Sequence, residues 1–237
     1  MGFVFVMIIA LSLSLIDECQ AGRIKNKHFF EKGDEVHFKM GDKEFRVKKD
    51  YFRGGSQNYW GAISNAEFWA LLPDFETYDK DKNYSEFVTQ LGYGRRIWFK
   101  IHPSHDGRNS LSKIFERGKT NGFHRFSGRV DQFDEMKYGL EVYRSTTKWD
   151  DQYLYRPNGN LKVLIGCRSI KANLPSPGCL MKWDYSNKVY AEADFSMEYL
   201  PQWKDILTNI EKIINGQRID SQGEGKSELR LLMWLVT

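Results

Sequence analysis

Between residues 140 and 193 the chain returns five times to a short apolar-rich run: 140–143 (LEVY), 152–155 (QYLY), 161–165 (LKVLI), 180–183 (LMKW) and 189–193 (VYAEA). Antiparallel neighbours can be joined by a tight turn, whereas parallel ones need a crossover of a dozen or more residues. The connections here are short and contain Asn, Gly, Asp or Pro, so they predict hairpins. A further run at 97–101 (IWFKI) stands upstream. Aromatic residues make up 15% of the chain, and such side chains fit a pleated, half-buried surface.

Another hairpin is expected near the start. Residues 35–40 (EVHFKM) alternate, Gly41-Asp42 turns, and residues 44–48 (EFRVK) alternate again, with Phe45 and Val47 inward and Arg46 and Lys48 outward. Residues 53–58 (RGGSQN) form a loop by composition, and residues 68–72 (FWALL) read as a buried strand stopped by Pro73.

Three helices are predicted. Asn83 is placed to cap one over 84–91, with Glu86 as reciprocal partner and Gly92 beyond its end. Asn109 or Ser110 caps a second, which carries Leu111, Ile114 and Phe115 on one face and stops at Gly118. The third runs over 201–215, where Trp203, Ile206, Leu207, Ile210, Ile213 and Ile214 follow helical spacing, Pro201 suits the first turn and Gly216 the cap. Runs of strands with helices at the ends make an α+β protein. The expectation is a predominantly antiparallel sheet, with two short helices and a long C-terminal amphipathic helix packed on it.

Residues 3–16 (FVFVMIIALSLSLI) carry no charge. Fourteen residues fall short of the roughly 20 needed to span a bilayer as a helix. They match the apolar region of a secretory signal, and Cys19-Gln20-Ala21 offers a small-x-small cleavage site. The reading is a signal peptide over 1–21, a single α+β domain over 22–219, and a tail over 220–237 whose role the sequence leaves open. The protein would then be periplasmic or secreted, touching a membrane only through an uncleaved signal. Cleavage would leave Cys167 and Cys179 as an even pair. In an oxidising compartment such a pair reads as a disulfide, its alternative being two buried thiols.

The most suggestive chemistry lies in His102-Pro103-Ser104-His105-Asp106, where two imidazoles and a carboxylate could ligate a metal or supply a base. Pro103 excludes a regular helix through the pair, and the cluster sits where a strand gives way to a turn. His102, His105 and Asp106 are therefore candidates set against a plain loop reading, and neither metal nor cofactor is expected. Ser110 and Lys113 have the Ser-x-x-Lys spacing of penicillin-binding enzymes, but the companion elements are missing and Ser110 is better placed as a cap.

Asp150-Asp151, and Asp131 with Asp134-Glu135, are carboxylate groupings that only distance in space could make catalytic. Tyr59, Trp60, Trp69, Trp98, Trp149 and Trp183 could line a groove, though aromatics of a β-rich chain are mostly core. The net charge of +4, and lysines that alternate as a solvated strand face, give no nucleic-acid signature.

Cys167, the turn Pro175-Ser176-Pro177-Gly178-Cys179, the alternation from Val189-Tyr190 to Phe195, and Tyr199-Leu200-Pro201-Gln202-Trp203-Lys204-Asp205-Ile206 together resemble small uncharacterised envelope proteins of Gram-negative bacteria. Glu44-Phe45-Arg46-Val47 ahead of Asp50-Tyr51 is similar to their early strand. The resemblance spans roughly residues 35–214. It implies a periplasmic location and one disulfide, and it lends no catalytic residue.

Two function classes follow. One is an exported, non-catalytic protein that binds another protein, of the immunity type that neutralises a toxin. The other is an exported hydrolase of cell-wall or other polymers, working near His102 and His105. The export reading is checked by mass spectrometry of protein from an exporting host: the mature chain should begin at Gly22, and an intact terminus in a soluble cytosolic fraction contradicts it.

Overall fold

The alternation of apolar and polar residues becomes, in a computed structural model, a set of antiparallel strands with few helices, an α+β architecture. The structure describes residues 29–32, 34–52, 65–88, 93–104, 110–121, 132–146, 151–168, 177–217 and 219. Among them, eight strands form one sheet in the order β4-β5-β11-β10-β9-β8-β7-β6. These are β4 (Ala66–Leu71), β5 (Arg96–Pro103), β6 (Phe133–Lys137), β7 (Leu140–Tyr143), β8 (Asp151–Tyr155), β9 (Val163–Cys167), β10 (Gly178–Ser186) and β11 (Val189–Ser196). β6 to β11 run as one meander, and β11 then pairs with β5 to take up the β4–β5 pair. A second sheet holds β1 (Phe29–Lys32), β2 (Glu35–Met40) and β3 (Lys43–Lys48).

One face of the main sheet holds the larger core. Phe68, Phe99, Ile101, Ala193, Met181, Ile165 and Tyr153 are buried there together with Phe45 and Val47 of the small sheet. Helix α3 (Trp203–Ile214) adds Trp203, Ile206, Ile210, Ile213 and Ile214, the stripe expected from their helical spacing. Both ends of the helix are tied. Trp203 Nε1 donates to the Tyr138 carbonyl at 3.0 Å, and Tyr185 Oη donates to Asn215 Oδ1 at 2.8 Å. Cys167 and Cys179 also lie on this face. They stand directly opposite one another on β9 and β10, with Cα atoms 4.1 Å apart and the sulfurs bonded.

The tip of the β2–β3 hairpin locks onto the turn between β10 and β11. Gly41 has φ +61°, and a Cβ there would stand 2.8 Å from the Lys188 carbonyl oxygen, so only glycine fits both the turn and the approach. Ser186 Oγ donates to Asp42 Oδ1 at 2.7 Å across the same contact.

Helix α2 (Leu111–Asn121) lies on the opposite face of the main sheet, with Leu111 and Phe115 against Leu154, Leu164 and Tyr190. It runs on through Gly118, which is buried inside it, so the glycine does not end the helix as expected. Helix α1 (Tyr84–Val88) also departs from its expected cap. The Asn83 side chain ties the preceding loop, accepting from the Asp79 amide at 2.8 Å and donating to the Thr77 carbonyl at 3.0 Å. Glu86 pairs with Arg95 and is not turned back to Asn83. Pro201 sits in a 3-10 segment, Met197–Gln202, ahead of α3. β9 begins at Val163, two residues later than expected, because Leu161 belongs to the smaller core under α2. β1 and β6 were not legible. The expected signal peptide, the whole of the tail, His105 and Asp106 lie outside the described residues.

Ile210 is fully buried where α3 crosses the sheet. Ile210→Ala should cost about 3 kcal/mol of unfolding free energy, from lost transfer and the cavity left behind. Urea titration measures it, and a loss under about 1 kcal/mol would mean that the helix does not close this core.

Candidate binding face

The polar side chains of the central strands gather on the face that α2 only partly covers. Alternation sets this: Ile97, Phe99 and Ile101 turn to the larger core, so Trp98, Lys100 and His102 must turn away from it. In β11, Ala191 and Ala193 turn in, while Tyr190, Glu192 and Asp194 turn away. Register then lines these residues up across strands. Glu67 stands opposite Lys100, Lys100 opposite Glu192, and Glu192 opposite Lys182. Charge therefore alternates along a row over four adjacent strands, and opposite charges facing across a ladder are mutually stabilising.

Glu192 is the centre of that row. Its carboxylate accepts from Lys100 Nζ at 2.7 Å and faces His102 Nε2 at 3.3 Å and Lys182 Nζ at 4.0 Å. Burial pushes its carboxyl up, but the hydrogen bonds from His102 and Lys100 and the two lysine charges outweigh it and hold the group down at about 2. Asp194, two residues on, is pushed up to about 6 by burial and then by the Glu192 charge, which Lys100 and Lys182 only partly offset.

Aromatic groups border the row. Lys100 Nζ lies 4.7 Å from the centre of the Trp98 ring, and Trp98 stands opposite Trp69. Trp69 stacks on Phe87 of α1 at 6.2 Å, with the Arg96 guanidinium 5.8 Å from the Trp69 ring. On the α2 side the Tyr190 hydroxyl is buried with no hydrogen-bond partner among the described residues, and burial drives its phenol strongly upward.

The sequence candidates separate in space. His102 belongs to this face, opposite Tyr190 near the end of β5, which stops at Pro103. Its ring is engaged by Glu192 and is not poised as an isolated base. Ser110 precedes α2, and its carbonyl accepts from the Ile114 amide at 3.0 Å, while Lys113 is exposed on the helix. Asp134, Glu135 and Asp151 converge on Arg144, with contacts of 2.7, 2.7 and 2.8 Å, so these carboxylates form an ion network and not an acid–base pair. Of the candidate groove aromatics, Trp69 and Trp98 share the face described here and Trp183 is buried on the opposite one; Tyr59, Trp60 and Trp149 lie outside the described residues. Arg95 is taken up by the Leu72 carbonyl, Glu76 and Glu86, and Arg96 by the Phe87 carbonyl. Among the described residues no group of three or more His, Cys, Asp or Glu could hold a metal.

Glu192, Asp194, Lys100 and Lys182 were missed in the sequence. The signal was there in part: Lys100-x-His102 and Glu192-x-Asp194 each alternate with core residues.

No protein-family model matches the chain, and no curated protein matches its sequence. Among solved structures it is similar to Smlt3025, an immunity protein of the Stenotrophomonas maltophilia type IV secretion system. The TM-score is 0.56 at 17% sequence identity, covering 81% of this chain and 96% of that one. At that identity the likeness is one of fold.

The two carboxyls give opposite pH signatures. Asp194, held above its unfolded value, destabilises the fold progressively as pH rises from the ordinary aspartate range through about 6. Glu192, held below its unfolded value, stabilises the fold at neutral pH and loses that contribution as pH falls towards about 2. Asp194→Asn should therefore raise stability at pH 7.5 by on the order of 2 kcal/mol, with most of the gain gone at pH 3.5. Urea unfolding of both proteins at the two pH values measures this, and an equal gain at both contradicts it.

Proposed function

We propose that this chain is an exported, non-catalytic immunity-type protein that binds a toxin and neutralises it. The observation that carries the reading is the likeness of fold to a secretion-system immunity protein over 96% of that protein's length. The site chemistry agrees with it. Lys100, His102 and Lys182 are engaged with Glu192 in an ordered, mixed-charge row beside half-buried tryptophans. Aromatic anchors within a polar surround are the usual composition of a protein interface. The paired cysteines and the apolar segment of residues 3–16 favour the periplasm or the cell exterior. No helix among the described residues is long and apolar enough to cross a membrane.

In this reading the toxin meets the face of Trp98, Lys100 and Glu192, with Trp98 as the apolar anchor and the charged row setting register. The test is co-expression, with export, alongside a secreted toxin sought among the genes next to its own. The wild-type chain should restore growth. Trp98→Ala should weaken binding by about 30-fold, the scale of an interface hot spot, without unfolding the protein. Growth arrest that persists with the wild-type chain present and folded defeats the proposal.

A further inference from the structure

Phe133, Met136 and Tyr138 are exposed at 52, 60 and 42%, and they are half of the exposed large apolar side chains among the described residues. All three fall on β6 and the turn after it, at one edge of the main sheet. The opposite edge is treated differently. There Phe52 bridges to Phe68, and the backbones of Leu71 and Glu76 exchange two hydrogen bonds, of 2.9 and 3.1 Å.

Three features of β6 suit it to receive another strand. The register shifts between Phe133 and Glu135, so Phe133 and Met136 stand opposite Tyr143 and Glu141 and share one face of the sheet. On that face Phe133 meets Tyr143 at 6.1 Å and Tyr143 meets Phe115 at 5.2 Å, so the small core under α2 runs out to the edge. Edge strands are commonly protected by charge. Here Asp134 and Glu135 are drawn onto Arg144, which they share with Asp151: three carboxylates to one guanidinium.

The turn orients the backbone. Tyr138 and Gly139 both have positive φ, 56° and 75°, the two-residue geometry in which Lys137 and Leu140 form the closing hydrogen-bonded pair. The next pair, Met136 and Glu141, is then of the non-hydrogen-bonded kind, which turns the Met136 N–H and C=O away from β7.

We infer that β6 is a strand-addition site for an extended segment of a partner protein, with apolar side chains beside Phe133 and Met136 and a Lys or Arg against Asp134 and Glu135. The occupant is a basic segment of another protein: Asp134, Glu135 and Asp151 share one guanidinium, so this edge carries an excess of negative charge that a Lys or Arg of the added strand offsets. Main-chain hydrogen bonds would supply affinity, and the two-faced pattern specificity. The inference rests on the protein-binding reading above and adds a second mode of contact to it.

The test uses the full chain and a blocked hexapeptide of alternating Val and Lys. The peptide should slow hydrogen exchange at the Met136 amide by about tenfold or more, saturably. The same peptide with Glu in place of Lys should not. Met136→Pro removes only the outward donor, so it should abolish the peptide effect while circular dichroism stays native. If that variant does not fold, Met136→Lys should weaken the Val-Lys peptide by setting a charge where its Val side chains pack. Protection that arises elsewhere, equal binding of both peptides, or a β6-dependent dimer in sedimentation overturns the assignment. The toxin rescue experiment uses no peptide, so the two readings can fail separately.

Discussion

β11 joins the two parts of the main sheet, and both faces depend on its pairing with β5. On one side Phe99 and Ile101 stand opposite Ala193 and Ala191 and continue the apolar surface under α3. On the other side the same register brings Lys100 and His102 to Glu192. A slip of one residue would exchange the faces, burying the charges beneath the helix and exposing the aromatics. Core and candidate binding face are therefore two consequences of one ladder.

The polar side of that ladder is a closed arrangement of charge. A carboxylate as buried as Glu192 would be costly alone, and removing one cation from it would leave an uncompensated ion in a low-dielectric setting. Asp194 is the counterweight: it lies beside the same lysines but receives less of their help. Two acids two residues apart on one strand thus end on opposite sides of their ordinary range, because the register gives one of them the hydrogen bonds.

Local pattern made much of the fold legible. The stripe of Ile206, Ile210 and Ile213 marked the helix, and the period-2 alternation of the β2–β3 hairpin marked Phe45 and Val47 as core. What failed depended on partners distant in sequence. Asn83 and Glu86 matched a capping box, yet Thr77 and Arg95 engage them. Gly118 looked like a stop, but it is buried within α2. β6 carries Asp134 and Glu135 in mid-strand, which masks its alternation until Arg144 accounts for them. The charged row was half legible: alternation marked Lys100 and Glu192 as pointing away from the core, but only the strand order makes them neighbours.

His102 and Glu192 are 90 residues apart in the chain, and the ladder that contains them is the longest-range closure in the main sheet. The meander from β6 to β10 can zip between sequence neighbours, but β4 and β5 must wait for β11, and the apolar face they share must wait for α3. Closure at such separation is slow, because loop entropy is spent before the contacts are gained. A chain that emerges amino terminus first therefore holds Phe68, Phe99 and Ile101 uncovered until β11 and α3 have emerged. Folding is committed late, by β11 and α3 together, and those strands need shielding until then.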